Sequence, residues 1–446
     1  MRKFVLAALC GTVVGAAVST QLAGPLLAQE KMREASVYQQ LDLFGDIFER
    51  IRAQYVEEVK PADLIEAAIN GMLTSLDPHS RYLPPKDFSD VQTTTRGEFS
   101  GLGIEVTQEE GFVKVISPIE GTPADAAGIE AGDFITHVNG ESVAGLTLDQ
   151  AVEMMRGPVG SEVIITVVRK GVDNPFDVSI IRETIKTVAA RVRMEGEAVV
   201  IRATQFTDQT WPNIETGLKK VVDEAGGWEN IGGVILDLRN NPGGKVEAAV
   251  AVADAFLEGG EITTLRGRTP QQTERHMATP GDVTGGKPMV VLINSGSASA
   301  SEIVSGALQD HRRAIIVGTR SFGKGTAQSI IQLRGDGAMQ LTTARYYLPS
   351  GRSIQALGVA PDIVVQQPPR RPQTEEPADE TAAAIRERSE AALRGSLTND
   401  SMTEDEKRLL EEETARAEAA ARLREEDYQL AYAVDILRGL GAIAQK

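Results

Sequence analysis

Met289-Val290-Val291-Leu292-Ile293-Asn294-Ser295-Gly296-Ser297-Ala298-Ser299-Ala300-Ser301-Glu302 runs from five unbroken apolar residues into a turn of small polar ones, and an apolar helical pattern follows through Leu308. A short apolar run bounded by turn residues is the pattern of a strand buried on both faces. Ser299 falls at the strand-to-helix turn, where its hydroxyl would sit beside a helix N-terminus that favours developing negative charge. Ser-x-x-Glu before an apolar run is equally a capping box, with Ser299 as N-cap and Glu302 at N3. The local pattern therefore fits a cap as well as a nucleophile.

Two further segments share the strand-and-turn grammar. Val234–Leu238 leads into Arg239-Asn240-Asn241-Pro242-Gly243-Gly244 and a helical run from Val246 to Leu257. Ile315-Ile316-Val317-Gly318 leads into Thr319-Arg320-Ser321-Phe322-Gly323-Lys324-Gly325-Thr326. With Val199–Ile201, these runs predict an α/β domain of largely parallel strands, to which Thr342–Leu348 adds another strand. Loops leaving the C-terminal ends of parallel strands gather at one edge of the sheet, where ligands bind. A right-handed strand-helix-strand crossover would bring the loops carrying Ser299 and Lys324 together. Lysine is protonated at its ordinary pKa of about 10.4, but burial disfavours the charged form, and a serine nucleophile needs an adjacent base.

Two other chemistries fit less well. Gly318 to Lys324 nearly spells a phosphate-binding loop, but Gly325 stands where a Ser or Thr should hold magnesium, and Ser329–Leu333 reads as a strand rather than a helix. A Ser-His-Asp arrangement would draw on His79, His137, His276 or His311, none in a catalytic setting, and no Gly-x-Ser-x-Gly elbow surrounds Ser299.

Towards the N-terminus, Leu41, Phe44, Ile47, Phe48, Ile51 and Tyr55 recur at helical spacing, and a second helix is expected over Ala62–Leu73. Leu76-Asp77-Pro78-His79-Ser80 ends that periodicity. Between Gly97 and Thr187, short alternating runs with Gly turns predict strands, interrupted by one helix at Leu148–Met155. This stretch resembles a PDZ domain. Leu102-Gly103-Ile104 matches its carboxylate-binding loop, and Ser117-Pro118-Ile119-Glu120-Gly121-Thr122-Pro123-Ala124 through Ala131-Gly132-Asp133 matches its central pattern. Backbone N–H groups near a glycine can surround a terminal carboxylate, while an open strand edge adds the ligand as a further strand.

Arg2-Lys3 followed by the apolar run Phe4–Ala28 reads as an export signal, or as an uncleaved anchor in the inner membrane. The periplasm or cell envelope is the expected location. After Val365 the chain turns Pro-rich, then Glu-rich, and Leu430, Val434 and Leu437 close it on a helical face. The N-terminal helices and Asp427–Leu440 are expected to mediate self-association, since isolated amphipathic faces need a partner. The 63 acidic and 46 basic residues give a formal charge of -17, which argues against nonspecific nucleic-acid binding. Cys10 is the one cysteine, so disulfides and Cys-ligated metals are excluded.

From Leu41 to Asp362 the sequence resembles the carboxyl-terminal processing (tail-specific) peptidases. The resemblance is carried by Gly71-Met72-Leu73 with Leu76–Ser80, the PDZ stretch, Leu236–Gly244, Ser297–Glu302 and Tyr347-Leu348-Pro349-Ser350-Gly351-Arg352-Ser353-Ile354-Gln355. It implies Ser299 as nucleophile, Lys324 as base and Gln328 as the residue that orients it. It also implies an oxyanion hole from the amide of Ala300 and an amide of the Pro-Gly-Gly turn, from Gly243 or Gly244, with no cofactor or metal. Leu102, Gly103 and Ile104 would bind the C-terminal end of protein substrates with exposed, apolar tails, and the PDZ domain would gate activity. Partners would then be such proteins and a second copy of the chain, with room for a lipoprotein activator or adaptor.

The expected architecture is α+β and multidomain: a signal or anchor over 1–28, a helical N-terminal region over 34–96 and a PDZ domain over 97–187. An α/β peptidase core over 188–365 follows, resembling the crotonase-like (ClpP/crotonase) fold, then a polar linker and charged helix over 366–426 and a C-terminal helix over 427–446.

Overall fold

The protein is described here by a computed structural model that covers residues 37–109, 111–119, 121–335, 337–368, 408, 415 and 419–444. The expected export segment and most of the polar linker lie outside these residues. The chain divides into two compact units, one of residues 1–82 with Met339–Leu341, the other of Leu83–Ala338 with Thr342–Lys446.

In the first unit, residues 37–54 are helical and a second helix spans Pro61–Thr74, opened by a proline at the position where a missing N–H costs nothing. Leu41, Phe44, Ile47 and Ile51 share the periodicity of a buried face yet are exposed in the single chain. After the second helix, the Asp77 carboxylate accepts from the amides of His79 and Ser80 and from the Ser80 hydroxyl. That accounts for the Asp-Pro-His-Ser turn as an Asx motif.

The second unit is built around a six-stranded sheet: β1 Ala190–Glu195, β2 Ala198–Ala203, β3 Gly233–Asp237, β4 Met289–Ile293, β5 Ile315–Gly318 and β6 Ile363–Val364. The strands lie side by side in sequence order, β1 antiparallel to β2 and the rest parallel. Helices α1 Thr210–Ala225, α2 Val246–Asp254 and α3 Ala300–Asp310 make the crossovers. All three pack on one face, against Val199, Ile201, Val234, Leu236, Val291, Ile293 and Ile316. Parallel strands must also be covered on the other face. There, Val200, Ile235, Val290, Leu292 and Val317 meet Leu430, Ala433, Val434 and Leu437 of α4, Tyr428–Ala444. Asp427–Leu440 is thus no free face for self-association: its apolar stripe closes the sheet of its own chain. Burying Leu430, Val434 and Leu437 contributes about 1.5–3 kcal/mol each, which holds the helix in place.

A second sheet carries Gly260–Arg266 between Thr273–Ala278 and Ala338–Tyr347, with Thr326–Gln332 pairing Ala338–Tyr347.

The PDZ-like part is a sheet in the order Ile104–Glu109, Phe112–Pro118, Phe134–Val138, Glu162–Val168, Phe176–Ile181. Ile104–Glu109 is its edge strand. The helix Leu148–Met155 opens with Thr147 and Gln150 in a capping box. At its other end the buried Arg182 donates to the carbonyls of Met154 and Met155, satisfying groups that the helix leaves unpaired. A ribbon of Glu98–Gly101 against Glu183–Lys186 stands between this part and the six-stranded sheet along the chain.

Candidate active site

Parallel β4, α3 and β5 form the expected crossover, and the loops after β3, β4 and β5 meet at their C-terminal ends. Ser297 and Ser299 in the β4–α3 turn and Ser301 in the first turn of α3 stand close together, and their surroundings differ. Ser297 Oγ donates to the Leu238 carbonyl (2.8 Å) and Ser301 Oγ to the Asn241 carbonyl (2.9 Å), both fully buried. Ser299 stands at φ 55° and ψ -113°, a conformation that residues with a Cβ avoid unless their surroundings enforce it. The enforcement is visible on both sides. The Ala298 amide donates to the Asn241 carbonyl (3.0 Å), and the Ser299 amide donates to Glu302 Oε2 (2.7 Å).

Glu302 does more than close a helix turn. It is fully buried, and four donors converge on it. Oε2 accepts from the amides of Ser299 (2.7 Å) and Lys324 (2.9 Å). Oε1 accepts from the Gly323 amide (2.6 Å) and the Ser321 hydroxyl (2.5 Å). One carboxylate therefore ties the Ser299 turn to the Lys324 loop, with the two backbone nitrogens on the same oxygen. The sequence pattern showed the helix-capping half of this role and missed the other half. A glutamate inside an otherwise small and apolar helix was the signal that something more than a cap was needed.

Lys324 is half-buried between two glycines: a side chain on Gly325 would collide, and Gly323 stands at φ 94° with little room. A Cβ on Gly325 would meet the Gln355 amide nitrogen at 2.5 Å, and one on Gly323 would meet the Gly358 amide nitrogen at 3.1 Å. The Gly325 amide in turn donates to Gln355 Oε1 (2.8 Å), which explains the glutamine at the end of the Ser-Ile-Gln stretch. The strand Thr326–Gln332 follows, not the helix a phosphate-binding loop requires. Gln328 Nε2 donates to the hydroxyls of Thr326 (3.0 Å) and Thr342 (3.1 Å), so its amide oxygen is the end left to accept.

The turn after β3 packs directly on the Ser299 turn. Asn240 and Asn294 exchange hydrogen bonds at 2.8 and 2.9 Å, and Asn241, fully buried, holds the Gly243 amide on its Oδ1 (2.9 Å) and the Ala203 carbonyl with its Nδ2 (3.0 Å). Gly243 has φ 102°, and a Cβ there would lie 2.9 Å from Ser299 Cβ and 3.0 Å from the Ala300 amide nitrogen. Only glycine leaves that space open.

Tyr346, absent from the residues expected from sequence, is buried with its hydroxyl hydrogen-bonded to Ser299, while its amide donates to the Gly325 carbonyl (2.9 Å). Burial pushes its phenol up to about 12 against the opposing Ser299 hydrogen bond, and the charge of Glu247 adds to the rise. Because the folded-state pKa exceeds the unfolded value near 10, the neutral phenol stabilises fully below pH 10 and that stabilisation fades towards pH 12. Urea midpoints should therefore fall over that window by the equivalent of roughly 3 kcal/mol in the wild-type chain and by less in Tyr346→Phe. Parallel curves for the two proteins would contradict this environment.

Three histidines are engaged elsewhere: His311 with the Glu261 carbonyl, His137 with Thr136 and His276 with Glu274. In the PDZ-like part, the Leu102 side chain lies in the core, so that residue can offer a ligand only its backbone. Gly103 packs on Thr122, where a Cβ would come within 2.3 Å, and Ile104 is half-buried on the edge strand.

Comparison with known proteins agrees with this architecture. Residues 197–365 match Peptidase family S41, residues 114–169 match the PDZ domain, and residues 12–86 match the Activating protease CtpB N-terminal domain. A carboxy-terminal-processing protease of Bartonella bacilliformis is 52% identical over 335 residues, covering 75% of this chain and 77% of the relative. A carboxyl-terminal-processing protease of Synechocystis sp. is 34% identical over 327 residues, covering 71% and 75%. Among solved structures, the photosystem II D1 C-terminal processing protease aligns with a TM-score of 0.42 and 27% identity, over 73% of this chain and 92% of that one. With the family pattern falling on the domain that carries Ser299, and relatives aligned over most of their own length, the chain belongs to the carboxyl-terminal-processing serine peptidases of family S41.

Proposed function

We propose that the chain cleaves proteins near their C-termini as a Ser299/Lys324 endopeptidase. Neutral Lys324 takes the proton as Ser299 Oγ attacks the scissile carbonyl, then gives it to the departing amine; water later releases the acyl group from Ser299 by the same proton path. Gln328 orients Lys324 through its amide oxygen. The tetrahedral oxyanion is held by the Ala300 amide and by the Pro242-Gly243-Gly244 turn, where the Asn241 bond to the Gly243 amide favours Gly244 as second donor. The observation that carries the reading is the Glu302 oxygen shared by the Ser299 and Lys324 amides. Substrate tails with apolar ends would add to the open edge of Ile104–Glu109, their carboxylates at the Leu102-Gly103 loop, and thereby gate cleavage. The exposed apolar stripe of residues 37–54 supports a homo-oligomer. Export to the periplasm or cell envelope rests on the sequence of residues 1–28, and a lipoprotein adaptor remains compatible with that location.

A serine-directed phosphonofluoridate tests the assignment. Mass spectrometry should find a single modified peptide, labelled at Ser299, with a rate that rises as pH rises because the neutral lysine is the base. Labelling at another serine, or a rate independent of pH, would sink the dyad.

A further inference from the structure

Arg239 opens the turn that packs against Ser299, and it is largely buried in a cluster of charges that reaches outside the family match. Its Nε and Nη2 donate to Asp237 at 2.9 and 2.7 Å. Its two Nη atoms also grip both carboxylate oxygens of Asp427 at 2.7 Å each, while Nη1 donates to Gln429 Oε1 at 3.1 Å. Arg202 contacts Asp237 at 2.6 Å, so two guanidiniums are balanced by two carboxylates. Asp427 and Gln429 stand at the head of α4, which lies beyond residue 365, where the peptidase match ends. Gln429 Nε2 is anchored to the Val365 carbonyl at 2.7 Å.

From these contacts we infer that Asp427 is a positioning residue for the peptidase site: by holding Arg239 it fixes the Asn240–Gly244 turn, making the C-terminal helix a working part of the catalytic domain. The inference rests on the proposed role of that turn at the oxyanion. The mechanical path is short. Arg239 is followed at once by Asn240 and Asn241, which hold Asn294, the Ala298 amide, the Ser301 hydroxyl and the Gly243 amide. Without Asp427, the largely buried Arg239 and the part-exposed Arg202 would share one carboxylate, and Arg239 would have reason to swing towards water, taking the base of the turn with it. The directions of titration agree: burial pushes the Asp427 carboxyl up, but the Arg239 bonds outweigh it and hold it below the usual range.

The test is Asp427→Asn in the full chain, with Asp427→Glu as the conservative variant and Gln429→Met as a milder one. Asp427→Asn should lower kcat on a protein with an apolar C-terminus about tenfold while KM changes less than twofold, with partial recovery in Asp427→Glu. Affinity for a peptide boronic acid, which needs the oxyanion donors, should fall in parallel, whereas affinity for the matching peptide amide should hold. A folded Asp427→Asn with wild-type kcat overturns the inference, as does lost kcat with undiminished boronate affinity. If Asp427→Asn does not fold, Gln429→Met decides, since an unchanged kcat there also overturns it. Loss of phosphonofluoridate labelling at Ser299 in the wild type would strike the Ser299 assignment instead, which keeps the two failures apart.

Discussion

Lys324→Ala should lose peptidase activity by on the order of 10³–10⁴-fold while the chain still folds. The asymmetry follows from which atoms of residue 324 bear load. The loop is pinned by backbone groups: the amides of Gly323 and Lys324 on Glu302, the Gly325 amide on Gln355 and the Tyr346 amide on the Gly325 carbonyl. None of these involves the lysine side chain, so truncation leaves them in place. Losing the half-buried side chain costs about 1–2 kcal/mol of packing and about 0.5–1.5 kcal/mol for its polar contact, which moves Tm by several degrees but leaves the domain folded. Lys324→Arg sharpens the test. It keeps the charge and much of the stem but cannot give up its proton, so it should be as inactive as the alanine variant. Retention of a tenth of wild-type activity by either variant would show that some other group takes the Ser299 proton.

How far the sequence foretold this site can be argued from single residues. The strand-turn-helix grammar around Ser299 and the crossover to Lys324 were legible because both depend on local periodicity and chain direction, and both appear in the structure as β4, α3 and β5. The pairing of the glycines around Lys324 with Gln355 and Gly358 was not legible, because it joins loops about 30 residues apart through space, with nothing local to mark the contact. Tyr346 was hidden for a similar reason. On a strand its alternation says only that one face is buried, and its hydroxyl meets Ser299 because a second sheet folds over the first. The misreading of Asp427–Leu440 as a surface for a second copy has a physical cause as well. An amphipathic stripe announces that it needs a partner but not which one, and here the partner is the face of the sheet left bare by α1, α2 and α3.

The choice among Ser297, Ser299 and Ser301 shows where structure adds a physical reason to a family resemblance. The outer two hydroxyls are spent on carbonyls of the neighbouring turn, which is how that turn is fastened to the helix start. Ser299 alone is held by its backbone in a strained conformation, and strain of that kind persists only where surrounding bonds over-determine it. The bonds that do so come from two carbonyl and carboxylate groups, on Asn241 and Glu302. Of these, the carboxylate reaches furthest.

Glu302→Gln should accordingly be among the most damaging isosteric changes in the chain. Each carboxylate oxygen accepts from two donors, so whichever end becomes the amide nitrogen confronts two N–H or O–H groups with a donor of its own. Rotating the side chain exchanges one pair for the other; with the nitrogen at the Oε1 position only the Ser321 hydroxyl can turn to accept, and the Gly323 amide stays unsatisfied beside an amide hydrogen with no acceptor. With the site fully buried, water cannot substitute, and leaving two donors unsatisfied costs about 2–6 kcal/mol. Thermal unfolding should begin roughly 5–15 °C lower. Activity should fall further than stability accounts for, about a hundredfold in kcat even well below the new transition, because the amides of Ser299 and Lys324 no longer share one anchor. Two measurements separate these effects: kcat at a temperature where both proteins are fully folded, and the rate of phosphonofluoridate capture at Ser299 under the same conditions. Both should drop together. A Gln variant that melts early but cleaves and labels at wild-type rates when folded would mean that Glu302 secures the loops without setting the geometry between them, and the shared oxygen would lose its place as the feature that brings serine and lysine into register.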